Sequence, residues 1–127
     1  MSVRTVLPDP IPEKATWRYT ATLKDETETV VAAAQLTTLT LTLYALNAAL
    51  TILNSVDATN ILNTGRGTVH ATSGLLTIVF EPADNPVVDA TLLEERHLAL
   101  IQWTYAGGAK AGRHEVEFGV RNLAKVS

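Results

Sequence analysis

Hydrophobic and polar residues alternate most clearly near the C-terminus. Residues 113–123 place apolar or aromatic side chains at every second position, with mostly charged side chains between them. A period of two is typical of a strand with one buried and one solvated face. Residues 94–105 are apolar on both faces for much of their length, as expected of a central strand. The glycine-containing residues 106–112 between them supply the reversal, so the pattern predicts a β-hairpin. The face of the second strand predicted to be buried carries His114, Val116, Phe118 and Val120.

Three other segments are predicted to be strands from the same period. Residues 17–24 alternate apolar with polar side chains, and residues 36–46 alternate leucine with threonine over much of their length. The threonines of the second segment are predicted to face solvent or a partner. Residues 75–81 place Leu76, Ile78 and Phe80 on one face, which is predicted to be buried. Threonine accounts for 18 of the 127 residues and favours the pleated surface of a sheet.

Shorter segments complete the predicted architecture. Residues 50–53 and 68–71 predict short strands, and residues 58–62 predict either a helical turn or a short strand. Residues 63–67 predict a loop from their Asn and Gly content. Residues 86–93 predict one short helical turn. The six or seven strands, separated by turns, predict an all-β fold, an antiparallel immunoglobulin-like β-sandwich over residues 17–127.

The first 16 residues form a separate predicted segment. Pro8, Pro10 and Pro12 stand at every second position, which favours an extended, polyproline-like arm. One interpretation is a disordered leader. The other is an arm that docks on a neighbouring subunit and becomes ordered only there. The residues predicted to make interactions are Val3, Val6, Leu7, Pro8, Pro10, Ile11, Pro12, Lys110 and Arg113, the last two from the loop and start of the final strand.

Composition and charge exclude several classes of function. A chain of 127 residues is the size of one domain. Its net charge is −3 and it has no cluster of basic residues, which argues against nucleic-acid binding. It has no cysteine, so disulfides and thiolate metal sites are excluded. The N-terminus lacks the apolar core of a signal peptide, and no apolar run reaches the ~20 residues that span a bilayer. We therefore expect no membrane partner.

The histidines and acidic residues are the candidate catalytic or metal-binding groups. If Phe118 pairs with Ile101 in the hairpin, His97 and His114 lie about 20 Å or more apart, too far to share a metal ion. The densest acidic cluster is formed by Asp84, Asp89, Glu94 and Glu95. Its spacing does not fit a calcium loop, and Asp84 is predicted to cap a turn. No nucleophile–base pair appears, so we predict a protein that is not an enzyme and has no cofactor.

Four aromatic residues could form a ligand platform. They are Trp17, Tyr19, Trp103 and Tyr105. Exposed aromatic rings in a sandwich can stack on sugars, whereas Trp103 alternates with apolar residues and fits most simply in the core. A contact with another subunit is the third interpretation.

The order of several motifs resembles a known family. The motifs are YTATLKD at residues 19–25, LTLTLY at 39–44, GLLTIVFEPADN at 74–85 and the hairpin over residues 99–120. In this order and spacing, over residues 17–123, the sequence is similar to small bacteriophage virion proteins. These resemble the immunoglobulin-like N-terminal domain of phage baseplate upper proteins. The sequence shows no receptor-binding or coiled-coil extension after the domain, which favours a capsid-decoration or neck component over a baseplate one.

The resemblance implies a structural function. It implies a virion structural protein, made in the host bacterial cytoplasm, whose partners are other capsid, neck or tail proteins and further copies of itself. Its edge strands would add to a partner's sheet, as in other strand-addition complexes. The alternative hypothesis is a β-sandwich module that binds carbohydrate or the host surface.

Overall fold

The computed structural model describes residues 2–25, 27–47, 50–62, 66–89 and 91–123. Within these residues the chain forms nine strands and three single 3-10 turns. The strands are β1 (Ser2–Val6), β2 (Ile11–Pro12), β3 (Trp17–Thr22), β4 (Leu36–Ala45), β5 (Thr59–Asn60), β6 (Gly67–Val69), β7 (Leu75–Phe80), β8 (Glu94–Tyr105) and β9 (Lys110–Arg121). The 3-10 turns are Ala33–Gln35, Pro82–Asp84 and Ala106–Gly108.

The strands form two sheets around one core. The larger sheet has the order β1-β9-β8-β4-β5, with β2 also paired to β9, and the smaller has the order β3-β7-β6. The pairings are antiparallel except those of β1 and β2, which run parallel to β9. Buried side chains of both sheets join in a single cluster, which includes Leu41, Ile78, Ile101 and Phe118. The predicted all-β, immunoglobulin-like sandwich is confirmed.

The predicted alternation of buried and exposed residues is confirmed in β7 and β9 and in part of β4. In β4 the leucines Leu39, Leu41 and Leu43 are buried and Thr38 on the opposite face is exposed. The prediction that the threonines of this strand face solvent or a partner is wrong for Thr42, which is buried and accepts a hydrogen bond from the N–H of Ala58 at 2.8 Å. In β7, Leu76, Ile78 and Phe80 are fully buried. The inner face of β9 is buried from His114 to Val120, and its outer face carries the charged residues. Apolar burial of one face is therefore sufficient to fix which way each long strand faces.

The C-terminal hairpin has the predicted strands but a different register. β8 spans the predicted residues 94–105, and β9 begins at Lys110 because the reversal is shorter than predicted. The turn uses Gly107 and Gly108 at φ values of 68° and 90°, a region that favours glycine.

The predicted pairing of Phe118 with Ile101 is wrong. Phe118 lies opposite His97, and His114 lies opposite Ile101, a shift of four residues. An even shift keeps the same face toward the core, so hydrophobic pattern alone cannot detect it, whereas the tight turn fixes it. The two histidines are consequently about 13 Å apart along the sheet, closer than the predicted distance of about 20 Å or more.

Several short elements differ from the prediction. Residues 50–53 make only an isolated bridge, between Ile52 and Tyr44, and the undecided segment 58–62 contains the two-residue strand β5. The strand predicted at 68–71 lies at Gly67–Val69. The short helical turn predicted at 86–93 is absent from the described residues there, and a 3-10 turn lies at Pro82–Asp84 instead, because Pro82 favours the first turn of a helix. Residues 63–65 of the predicted loop lie outside the described residues.

The N-terminal segment is extended, as predicted, but it is part of the sandwich. β1 and β2 add to the edge of the larger sheet by pairing with β9 of the same chain. The expected boundary at residue 16 therefore does not separate an arm from the domain. The expectation that this segment is ordered only against a neighbouring subunit is wrong for the described residues, because β9 offers it an unpaired edge. We call residues 2–12 the arm below.

The indole of Trp103 packs directly over the backbone of Gly112. The two residues are opposite each other in the β8–β9 pair, and Trp103 is 3% exposed. A Cβ atom built on Gly112 would lie 2.3 Å from Cε2 of the indole. The glycine is thus required by close packing rather than by its backbone angle.

We expect the substitution Gly112→Ala to lower the free energy of unfolding by about 1–3 kcal/mol, the usual cost of overpacking a core. Urea denaturation measures this loss. The exposed neighbour Ala111 provides the control, since Ala111→Ser should change stability by less than about 0.5 kcal/mol. Equal stability of the Gly112→Ala variant and the unchanged protein would contradict the close packing.

Candidate interaction surface

The arm is held on β9 by two sets of backbone pairs, one for each of its strands. The register runs from Ser2 opposite Arg113 to Val6 opposite Glu117, and Ile11 lies opposite Val120. The N–H of Leu7 donates to the carbonyl of Glu117 at 2.9 Å, and the N–H of Glu13 donates to the carbonyl of Arg121 at 3.0 Å. The residues between β1 and β2, which include Pro8 and Pro10, therefore form a link between two anchored strands.

Charged side chains on the outer face bind β1 to the sheet. Arg4 donates to Glu115 at 2.8 Å and also contacts Glu117. Glu117 accepts in addition from Arg96 of β8 at 3.0 Å, and Glu115 accepts from Arg113 at 3.0 Å. The hydrogen bond from Arg4 is the main cause that lowers the pKa of Glu117. Three strands are thus crosslinked by alternating charges. Such a network stabilises a sheet more than an isolated surface ion pair does.

A cleft opens between the arm and β3. It has a volume of about 470 Å³, and its lining residues are Leu7, Pro8, Asp9, Ile11, Trp17, Arg18, Tyr19 and Thr20. Leu7, Ile11, Trp17 and Tyr19 are half-buried and pack against the core. The cleft exists because the arm follows β9 of the larger sheet, which leaves the smaller sheet uncovered at β3.

The backbone of β3 has an unpaired edge along this cleft. In β7 the N–H of Val79 donates to the carbonyl of Arg66, and the carbonyl of Leu75 accepts from the N–H of His70. The backbone groups of Leu75 and Val79 therefore point toward β6. Because pairing alternates in antiparallel strands, the intervening β7 residues pair with Trp17, Tyr19 and Ala21. The N–H and C=O groups of Arg18, Thr20 and Thr22 therefore point away from β7. Among the described residues, no strand pairs with this edge.

Two groups of polar contacts, centred on His114 and Asn85, hold the walls of the cleft. Nε2 of His114 lies 2.9 Å from the Tyr19 hydroxyl and 3.2 Å from the Thr5 hydroxyl, which joins the smaller sheet to the arm. The indole N–H of Trp17 donates to Oδ1 of Asn85 at 3.1 Å, and Nδ2 of Asn85 donates to the carbonyl of Ala15 at 2.8 Å. These hydrogen bonds fix the positions of the two walls of the cleft relative to each other.

The acidic residues singled out in the sequence have structural contacts. Asp84 is fully buried and accepts from Arg66 at 2.6 Å, from Asn54 at 2.9 Å and from the N–H of Glu81 at 2.7 Å. The last contact is the predicted turn cap. Glu94, in contrast, lies on the outer face of β8, where it accepts from Arg96 at 3.2 Å. The cluster is therefore divided among separate contacts.

Glu95 and His97 form a buried pair beside the segment before β8. Oε1 of Glu95 lies 2.6 Å from Nε2 of His97, and Glu95 also accepts from the N–H groups of Val88 and Asp89 at 3.0 and 2.7 Å. Burial lowers the pKa of His97, against the opposing effect of Glu95. Burial alone would raise the pKa of Glu95, but these hydrogen bonds outweigh it and lower the pKa. The pair fastens residues 88–89 to the sheet.

Of the four aromatic residues that could form a sugar platform, Trp103 and Tyr105 are buried, whereas Trp17 and Tyr19 are half-buried and line the cleft. Trp17 stacks on Phe80 at a centroid distance of 4.2 Å and an interplanar angle of 8°. Trp103 is 3% exposed and Tyr105 is 7% exposed. Tyr19 uses its hydroxyl on His114. The burial of Trp103 supports its interpretation as a core residue.

The predicted interaction residues occupy different places. Leu7, Pro8 and Ile11 line the cleft, whereas Val6 is 55% exposed on the outer face of β1. Pro10 and Pro12 belong to the arm beside the cleft, and the backbone of Val3 pairs with His114. Arg113 lies in the charged network through Glu115, and Lys110 lies at the start of β9 beside the hairpin turn. Part of the predicted set therefore lines the cleft together with residues of β3, which the sequence did not indicate. The unpaired edge of β3 is visible only in the sheet topology.

The described part of the chain contains neither a metal-binding cluster nor a membrane-spanning helix. Across residues 2–25, 27–47, 50–62, 66–89 and 91–123, no group of three or more His, Asp or Glu side chains is placed to hold a metal ion. In the same part of the chain, no helix has the length and apolar character needed to cross a membrane.

The strand order and register define the protein as an all-β immunoglobulin-like sandwich. No family model matches the sequence, and no curated protein matches it. A similar solved structure is that of titin M4 in its trigonal form, at 13% sequence identity and a TM-score of 0.35. The alignment covers 93% of this chain and 90% of the titin chain.

Acidification should destabilise the fold through its buried histidines. The pKa values of His97 and His114 are lowered by burial from the ordinary value of 6.5, so the native state resists protonation. The unfolded chain then binds more protons below about pH 6.5, and the free energy of unfolding should fall from about pH 7.5 to about pH 5.5. Thermal unfolding across this range measures the slope.

The histidine variants test the origin of this slope. His114→Gln should make it shallower, while His70→Gln, which replaces an exposed histidine, serves as the matched control. A free energy of unfolding that does not change with pH, or an equal effect of both variants, would contradict the assignment.

Removal of Arg4 should loosen the arm selectively. The substitution Arg4→Ala deletes both contacts with β9 and is expected to speed amide hydrogen exchange in β1. Exchange at the β8–β9 pairs should stay unchanged, because those pairs do not depend on the arm. Arg18→Ala, which removes an exposed arginine of β3, is the control. Unaltered exchange in β1 would show that the charged network contributes nothing to arm binding.

Proposed function

We propose that this protein is a non-enzymatic structural component of a bacteriophage particle. Three positions are compatible with the proposal: capsid decoration, the neck or the baseplate. The resemblance of the sequence motifs supports the phage setting. The observation that supports a binding role is the unpaired edge of β3 beside an apolar cleft. An exposed strand edge is an aggregation hazard unless it is protected or used, so a six-residue edge next to half-buried apolar side chains favours a partner.

The surface in question is defined by the cleft-lining residues and by the outward backbone groups of β3; we call it the arm–β3 surface. Its partner would be another virion protein or a further copy of this chain. In a symmetric particle such a contact repeats many times, so a modest individual affinity is sufficient for stable attachment.

The carbohydrate- or host-surface-binding alternative receives less support from the geometry. A sugar platform uses open aromatic faces, and the four rings considered above are engaged in the core or with polar partners. The arm–β3 surface instead offers backbone hydrogen-bonding groups and aliphatic side chains, which suit a polypeptide.

The proposal predicts that the chain copurifies with particles at a defined copy number. Quantitative mass spectrometry of particles from the bacterial host that carries the gene provides the measurement. The substitution Thr20→Glu, at an exposed position on the arm–β3 surface, should reduce incorporation roughly tenfold or more, because a charge introduced into the contact costs over ~1.4 kcal/mol.

A matched control comes from the other edge of the same sheet. Thr68 of β6 is also exposed and lies opposite the same residue, Thr77 of β7. Thr68→Glu should leave incorporation unchanged. Absence of the chain from particles would overturn the proposed function, and equal loss with both variants would exclude the arm–β3 surface as the contact.

A further inference from the structure

We propose that β3 accepts an extended segment of a partner protein as an additional strand of the smaller sheet. The segment would carry apolar side chains at alternate positions and an acidic side chain on its outer face. This inference specifies the contact made by the arm–β3 surface, and for the identity of the partner it rests on the proposed function. The observations that support it concern the backbone, the cleft and the charge of β3.

The backbone of β3 offers hydrogen bonds in the spacing that a strand requires. Arg18, Thr20 and Thr22 direct their N–H and C=O groups away from β7, every second residue along the edge. An incoming extended chain places its own paired groups at the same interval. Addition at this edge would extend the three-stranded sheet to four strands.

The cleft explains why alternate side chains of the segment should be apolar. Leu7 and Ile11 lie on its arm side, and Trp17 and Tyr19 on its β3 side, all half-buried. Successive side chains of a strand point to opposite faces, so every second side chain of an added strand would enter the space between the two sheets. There it would cover apolar surface that the arm leaves partly open.

Charge determines the outer face of the segment. Arg18 is exposed and has no hydrogen-bond or ion-pair partner among the described residues, whereas Arg4 of the arm is engaged with Glu115 and Glu117. A carboxylate beside Arg18 would pair with it across the strands. Asp9 lines the arm side of the cleft and would repel a carboxylate there. The acidic residue is therefore placed outside and the apolar residues inside.

A designed peptide tests this inference on the purified protein without any particle. The probe is a seven-residue peptide, capped at both ends, with valine at the second, fourth and sixth positions, glutamate at the third and threonine elsewhere. Titration followed by ¹⁵N–¹H NMR should shift the amide signals of Arg18, Thr20 and Thr22 most. A peptide of the same composition with its three valines consecutive should bind at least about tenfold more weakly, since it cannot place them all in the cleft.

Backbone variants separate strand addition from binding of side chains alone. Thr20→Pro removes an N–H that points outward, a substitution that edge strands tolerate. It should weaken peptide binding roughly tenfold, while Thr20→Ala, which keeps the N–H, should not. N-methylation of the peptide at alternate residues provides the same test without altering the protein: one alternate series should abolish binding and the other should preserve it.

Charge reversal tests the assigned orientation. Arg18→Glu should weaken binding of the glutamate peptide, and replacement of that glutamate by lysine should restore binding to the variant. No binding of the alternating peptide, or equal effects of both N-methylated series, would overturn strand addition. Weakening without restoration by the lysine peptide would overturn the placement of the acidic residue. Because these measurements involve no particle, their failure is distinguishable from failure of the proposed function, which particle composition tests.

Discussion

The pairing of β9 on both of its edges is the constraint on which the rest of this structure depends. β9 pairs antiparallel with β8 over its full length and parallel with the arm on its other side. A strand covered on both edges and buried on its inner face has little freedom to change register. The fixed position of β9 brings His114 between Thr5 and Tyr19, and brings Glu115 and Glu117 beneath Arg4. The polar contacts between arm, larger sheet and smaller sheet all originate from this strand.

The same constraint creates the asymmetry of the two sheets. Because the arm completes the edge of the larger sheet, it is not available to cover β3 of the smaller one. The result is a sandwich with one side tightly joined by charges and backbone pairs, and a cleft with free backbone groups immediately beside it. A fold whose arm pairs with a strand of its own larger sheet can therefore still leave an edge of the smaller sheet unpaired, and the position of the arm sets the shape of the cleft beside that edge.

The pattern of apolar and polar residues was sufficient to predict the strands that bury one whole face. The alternation in β3, β4, β7 and β9 has a period of two over six or more residues, and burial of apolar area outweighs local preferences at that length. The same pattern did not predict correctly the elements of two or three residues. At residues 50–53 and 58–62, a few backbone pairs at the end of β4 decide the outcome, and no periodicity can develop over so short a distance. The four-residue register error at Phe118 arose because an even shift preserves the buried face.

The sequence by itself determined the fold class, the direction in which the long strands face and the absence of thiol chemistry, since these depend on residue type and period alone. It also indicated that the arm is extended, because proline fixes its backbone angle. Only the tertiary structure decided where the arm binds, which strand edge stays open and which charged groups meet, such as Arg4 with Glu117, residues 113 positions apart. These features depend on contacts between segments that are distant in the sequence. The pattern of apolar and polar residues carries no information about which strand edge pairs with which other strand.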